Sequence, residues 1–170
     1  FPYTTLFRSP VDDAVAKALG AEDLDEETSV NYSVGLTGQL TPADMRELAA
    51  AGFVVVINNR PDREAMFGQP RTADLDTAAT AAGLKFLDLP FSGPRATPDQ
   101  VCAFADLLAE GDGKIAAFCK SGMRSALLWG AASLVNGRSL DEVLAGARRA
   151  GQELAGAAEI MTALAQAARS

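Results

Sequence analysis

Histidine is missing from the 170 residues of this chain. With it go Ser-His-Asp triads, Cys-His proteases, histidine metal sites and acid–base chemistry on an imidazole. Cysteine is scarce. Cys102 and Cys119 are the two thiols, too few for a disulfide framework or a zinc site, and a reducing cytoplasm fits that usage best. Basic residues are outnumbered, 15 Lys and Arg against 22 Asp and Glu, which leaves a net charge of −7. That balance argues against nucleic acid or an anionic membrane as a partner. An anionic substrate would need a local positive site. No apolar run approaches the ~20 residues of a membrane span.

What is present is an ordinary globular mixture, 48% apolar and 22% charged, long enough for one domain with a sizeable core. Residues 1–9 match nothing that follows and lack the basic start and apolar core of a signal peptide. They read as a translated sequencing-adapter tail, outside the fold. Residues 10–30 are an acidic, alanine-rich lead-in with one short helix at 11–19. The domain proper is expected over 31–168.

Inside it, strand and helix signals alternate. A short strand at 31–38 precedes Thr41-Pro42, read as N-cap and first helical residue of a helix running to Ala51 and closed by Gly52. Phe53 to Ile57 is a valine-rich strand buried on both faces. A polar loop, Asn58 to Glu64, leads to a helix over 73–82 ended by Gly83. Leu84 to Leu89 is the next strand, with Asp88 as a carboxylate in need of a partner. The loop Phe91 to Ala96 meets a capping box, Thr97-Pro98-Asp99-Gln100, and a helix to Glu110. Ile115 to Phe118 is a strand, and a helix follows over 125–135. Ser139 to Glu142 is a second capping box. The apolar stripe beyond it is divided in two by Gly151. This alternation predicts an α/β fold with a mostly parallel central sheet and helices on both faces.

Cys119 follows the strand at 115–118, and Lys120-Ser121-Gly122-Met123-Arg124-Ser125 then turns the chain into a helix. Backbone N–H groups at a helix start, the helix dipole and Arg124 all favour negative charge there. The same field lowers a cysteine pKa from ~8.5 towards neutral and makes a nucleophilic thiolate. Cys119 is therefore the candidate nucleophile and Arg124 the anion ligand. Ser121, Gly122 and Met123 serve through backbone N–H groups, and Lys120 stands at the rim as a further positive charge. Ser125 is either a hydrogen-bond donor to the sulfur or a plain helix N-terminal hydroxyl. Cys102 lies on an apolar helix face as core filler. The C-terminal ends of the three strands at 53–57, 84–89 and 115–118 should face one edge, where ligands bind in open α/β sheets. That edge gathers the loops at 60–64, 91–96 and 119–125. Arg60 is then a second anion contact or a structural partner for a carboxylate. Asp62 is a catalytic acid or a turn residue.

Gly38-Gln39-Leu40-Thr41, Ile57-Asn58-Asn59-Arg60-Pro61-Asp62 and Cys119 to Ser125 occur in that order. Together they resemble the phosphatase-like domain of beta-lactamase-hydrolase-like proteins, a bacterial branch of the dual-specificity phosphatase fold, over roughly residues 32 to 154. The resemblance implies a cysteine-phosphatase fold with a phosphate-binding P-loop, Cys119 as nucleophile, Arg124 as ligand, and the Arg60–Asp62 loop beside them. It calls for no metal or other cofactor. Two departures stand out. Four residues, not five, separate the cysteine from the arginine, a spacing shared with rhodanese sulfurtransferases. The loop at 91–96 also lacks the aspartate that phosphatases of this fold place there as general acid. The leading expectation is hydrolysis of a phosphate ester, on a small anionic molecule or a phosphoprotein, through a phosphocysteine. A sulfurtransferase carrying a persulfide on Cys119 and a noncatalytic anion-binding module are the alternatives. The sequence leaves the oligomeric state open.

Overall fold

The computed structural model describes residues 32–111 and 113–170. The expected tail, lead-in and helix at 11–19 lie outside the described residues. Four strands form the sheet, β1 (Tyr32–Thr37), β2 (Phe53–Asn58), β3 (Lys85–Asp88) and β4 (Gly113–Phe118). The helices are α1 (Asp44–Ala50), α2 (Thr72–Ala81), α3 (Pro98–Glu110), α4 (Met123–Val135), α5 (Leu140–Arg149) and α6 (Ala158–Arg169). A short 3₁₀ turn, Ala155–Ala157, joins the last two.

All pairings are parallel, in the order β1-β4-β2-β3. Register aligns Thr37 with Phe118, Phe118 with Asn58, and Asn58 with Asp88. The four C-terminal ends therefore stand in one row, and the loops that follow them share one edge. The central strands are apolar on both sides, as a sheet covered on both faces requires. Val55, Ile57, Ile115 and Ala117 face the larger core, built with Phe104, Leu108, Leu128 and Trp129 from α3 and α4. Phe53, Val56, Ala116 and Phe118 face the smaller one, with Met45, Leu48 and Leu75 from α1 and α2. No helix among the described residues is long and apolar enough to cross a membrane.

Both predicted capping boxes form. Thr97 and Ser139 each accept from the backbone N–H three residues on, and Gln100 and Glu142 reach back to the cap N–H. Gly151, at φ 79°, divides the C-terminal stripe as expected. The start of α1 differs from the sequence reading. Thr41 does not cap it, and the helix begins at Asp44 with no side-chain cap. Asp44 instead turns back to accept the Thr41 N–H at 2.7 Å, a carboxylate in the first turn that serves both the loop and the helix dipole. Leu84 precedes β3, and Asp88 is exposed at its end, on an edge strand. Its partner is Asn58, which donates to it at 2.8 Å.

Candidate active site

The sheet pins Cys119. The Cys119 N–H reaches Thr37 O at 3.4 Å, and the Asn59 N–H reaches Phe118 O at 2.8 Å. The ladder thus extends one residue past the strand ends on both sides of β4. Cys119 is buried, with 1% of its surface exposed. Gly122 is the N-cap of α4 at φ 94°, a left-handed conformation that costs glycine little. Its N–H donates to Cys119 Sγ at 3.1 Å. A Cβ added there would stand 2.6 Å from Gln152 Nε2 and 3.3 Å from Thr37 O. Gly38 is needed for a similar reason, since a Cβ on it would lie 3.0 Å from Lys120 O.

Burial pushes the Cys119 thiol up. Backbone N–H groups of Ser125, Ser121, Gly122 and Arg124 more than offset it, and the pKa falls below the ordinary thiol value. A buried sulfur that accepts the Gly122 N–H and lies under the amides that open a helix favours the thiolate. The Gly122 N–H is bonded to the sulfur, and the amides of Ser121, Arg124 and Ser125 lower the thiol with it; Met123, expected to serve through its N–H as well, is not in that set. The Ser125 hydroxyl is buried without a hydrogen-bond partner. Lys120 and Met123 are exposed on the rim.

Arg124 is held from two sides. Its Nη1 and Nη2 donate to the two carboxylate oxygens of Glu64 at 2.7 and 2.8 Å. Nη1 also donates to Phe91 O at 3.1 Å. These bonds use three of the five guanidinium N–H groups, and the Cys119 thiolate also favours the Arg124 charge. Glu64 raises the Arg124 pKa further, and in return its own carboxyl is lowered, first by Arg124. Arg60 is buried and is the structural partner of this carboxylate. It donates from Nε to Glu64 Oε1 at 2.9 Å and from Nη1 to Gln39 Oε1 at 2.9 Å. Loops after β1, β2, β3 and β4 are thereby joined in one network.

Asp62 is placed elsewhere. Its Oδ1 accepts from the Thr72 N–H at 2.8 Å and from Thr72 Oγ1 at 2.9 Å. This is the first residue of α2, so the carboxylate satisfies a helix-start donor. Asn58 stiffens the same loop, donating to Arg60 O at 2.9 Å and accepting the Arg60 N–H at 2.9 Å.

Two site residues were not singled out from the sequence. In the sequence Glu64 is the last residue of a polar loop. Its one local signal is the Arg60–Glu64 spacing just after a buried strand. Gln152 was passed over in the C-terminal stripe. Its Nε2 donates to Ser121 O at 3.1 Å, and its own N–H reaches Ala147 O at 2.8 Å. The turn after α5 thus braces the Cys119 loop.

A model of the phosphatase-like domain of beta-lactamase hydrolase-like protein matches residues 26–137. A beta-lactamase hydrolase-like protein of Agrobacterium fabrum is 38% identical over 109 residues, which are 64% of this chain and 25% of that protein. One from Xylella fastidiosa is 31% identical over 115 residues, 67% of this chain and 26% of its own length. The chain thus spans about a quarter of these curated relatives. Among solved structures, a candidate phosphatase from Neisseria meningitidis superposes with a TM-score of 0.66 at 30% identity, covering 84% of this chain and 96% of that one. The kinase associated phosphatase superposes at 0.64 with 15% identity, covering 83% and 91%, a likeness of fold alone. The alternation of strands and helices, the cysteine at the end of the central strand and the match over 26–137 lead to one statement: the chain belongs to the phosphatase-like domain family of beta-lactamase hydrolase-like proteins, with the cysteine-phosphatase fold.

Proposed function

We propose that this domain hydrolyses a phosphate monoester through a phosphocysteine on Cys119. The observation that carries the reading is Cys119, buried at the end of the central strand with the Gly122 N–H donating to its Sγ at 3.1 Å, on a loop whose amides hold its pKa below the ordinary value. The thiolate attacks phosphorus, the bond from phosphorus to the ester oxygen breaks, and the alkoxide or phenolate departs with the electron pair and takes its proton from solvent. Water then attacks phosphorus, the S–P bond breaks, and inorganic phosphate leaves with the thiolate restored. The loop amides and Arg124 hold the equatorial oxygens, aimed where charge develops. The buried Ser125 hydroxyl needs a partner, and the departing sulfur is its recipient in the second step.

Aryl esters are the expected substrates. The loop at 91–96 holds no carboxylate, Asp62 is engaged by Thr72 and Glu64 by two arginines. A phenolate leaves with little help, whereas an alkoxide needs an acid worth ~10²–10⁴-fold.

That same lack of an acid favours one second reading, a sulfurtransferase. There the thiolate attacks the outer sulfur of thiosulfate, the S–S bond breaks, sulfite leaves with the electron pair, and Cys119 carries a persulfide without any proton to supply. Intact mass spectrometry separates the two, since a phosphocysteine adds ~80 Da and a persulfide ~32 Da to the thiolate. The expected result is the larger increment from an aryl phosphate, absent in Cys119→Ser. A 32 Da adduct from thiosulfate, passed on to cyanide with no phosphate release, would replace the first reading with the second.

A further inference from the structure

β2 runs out through two consecutive asparagines, and the second, Asn59, is fully buried. Register pairs Asn58 with Phe118 on one side and Asp88 on the other, so Asn59 stands between Cys119 and Leu89. Its N–H donates to Phe118 O at 2.8 Å. Towards β3 a parallel ladder would next join the Arg60 N–H to Leu89 O. That rung is replaced. The Arg60 N–H turns back to Asn58 Oδ1 at 2.9 Å, and the residue after Leu89 is Pro90, which has no N–H to offer. Asn59 fills the gap from both ends. Its Nδ2 donates to Leu89 O at 3.0 Å, and its carbonyl accepts the Phe91 N–H at 3.3 Å.

The far end of this segment holds the anion ligand. Phe91 O accepts from Arg124 Nη1 at 3.1 Å, while Glu64 takes Nη1 and Nη2. Two contacts to one carboxylate let a planar guanidinium tilt with that carboxylate, and a third acceptor on a different loop restrains the tilt. The segment itself is stapled. The Leu89 N–H donates to Asn58 O at 2.8 Å, Gln100 Nε2 donates to Pro90 O at 2.8 Å, and Phe91 is buried in the larger core. Asn59 is the member of this set that bonds both residues flanking Pro90. Its Oδ1 is buried without a hydrogen-bond partner. Burying that oxygen costs free energy, so packing alone would be served as well by an apolar side chain of the same size. What the amide adds is the Nδ2 bond to Leu89.

We propose that Asn59 is a positioning residue for Arg124: by holding Leu89 and Phe91 against the end of β2 it fixes the carbonyl that restrains the guanidinium, and so sets the affinity of the site for a tetrahedral oxyanion. This rests on the reading of Cys119 and Arg124 as an anion site. Asn59 acts through the Phe91 carbonyl and not by contact with the anion. Glu64 gives Arg124 its charge partner, and Asn59 gives it a fixed direction.

The test reads anion affinity and does not require turnover. Cys119 is alkylated with iodoacetamide at fixed pH and ionic strength, the modified peptide is quantified by mass, and protection is titrated with inorganic phosphate. Asn59→Leu should raise the half-protecting phosphate concentration about tenfold, the worth of one charge-assisted hydrogen bond. The same substitution made in Arg124→Lys should change that concentration by under about twofold, because the group it positions is gone. Urea denaturation checks that each variant folds. Should the leucine variant not fold, Asn59→Ser, which keeps a hydroxyl but loses the reach to Leu89, carries the same comparison. Unchanged protection in a folded Asn59 variant overturns the proposal. So does an equal loss in the two backgrounds, which makes the damage general, and so does failure of both variants to fold, which assigns Asn59 to the fold alone. If phosphate does not protect the wild-type chain, the anion site is lost and its positioning residue with it, an outcome distinct from equal protection of wild type and variant.

Discussion

At the scale of single residues, Glu64 decides how Arg124 can act. A guanidinium on a free helix surface would sample many directions. Here a carboxylate and the Phe91 carbonyl hold three N–H groups and so fix its direction. Glu64→Gln keeps the size and loses the charge-assisted pair. It should lower kcat/KM on an aryl phosphate roughly tenfold to a hundredfold, as expected for an ångström-scale displacement of a catalytic group. Steady-state kinetics with circular dichroism as a check on folding would measure this, and an unchanged rate would remove Glu64 from the site. Gln152 makes a subtler contribution. It holds the Ser121 carbonyl and so the peptide whose N–H points at the sulfur. Gln152→Ala should move the midpoint of the pH dependence of Cys119 alkylation upward, towards the ordinary ~8.5. A role confined to stability would lower the melting temperature and leave that midpoint in place. Neither residue was legible in the sequence as a site member. The ion pair with Arg124 spans 60 positions and the bond from Gln152 to Ser121 spans 31, and no local pattern encodes partners so far apart. Cys119, Arg124 and the loop glycine were legible, because strand, turn and helix start are consecutive.

The elements were written mainly in local chemistry, and where that chemistry was ambiguous the reading slipped. Thr97 and Ser139 announced their helices through reciprocal side chain–backbone bonds three residues apart. At Thr41 only half of that exchange forms, Asp44 accepting the Thr41 N–H, and the helix starts at Asp44 after a turn through Ala43 with no side-chain cap. β4 begins at Gly113 and not at Ile115, because the parallel ladder needs backbone groups rather than apolar side chains. α4 shows the converse. It is apolar nearly all round and buried along its length, wedged between the sheet and α3, α5 and α6. Gly130 lets α6 approach, since any Cβ there would meet Met161 and Val143. Met161 is fully buried, although the family match stops at residue 137. Met161→Ala should therefore cost about 2–5 kcal/mol by leaving a cavity under α4. Urea denaturation would show it as a lower midpoint with an unchanged slope, and a cost under 0.5 kcal/mol would mean that α6 is dispensable.

The whole molecule carries an electrostatic signature of the site. Folding lowers the pKa of Cys119, so in the interval between the folded and unfolded values the unfolded chain keeps a proton that the folded one has released. Stability must then rise with pH across that interval. The contribution is fully present above the unfolded thiol pKa of ~8.5 and is lost as pH falls through the depressed value. Calorimetric melting between pH 5 and 9, a range of about four units around the thiol transition, should show this upward slope in wild type. It should be flattened in Cys119→Ser relative to Cys102→Ser, the control thiol. Equal slopes in the two variants would mean that the cradle does not stabilise the thiolate. Glu64 acts in the same sense at lower pH. Its carboxyl, lowered chiefly by Arg124, supports the fold above the ordinary glutamate pKa and withdraws that support as acid protonates it.

The position of β4 between β1 and β2 also sets the order in which the protein can be made. Of the described strands β1 leaves the ribosome first, yet among them it pairs only with β4, whose residues are synthesised roughly eighty positions later, a separation that slows folding. Until then β2 and β3 can associate, while β1 waits as a strand with open edges. The last residue of β4, Phe118, completes the pairings to Thr37 and Asn58, and the next residue is Cys119. The strand that closes the sheet is thus the one that positions Cys119, and the loop amides that lower its pKa follow directly behind it. A nascent chain halted before β4 would hold neither, and its unpaired β1 would be the segment a chaperone has to shield.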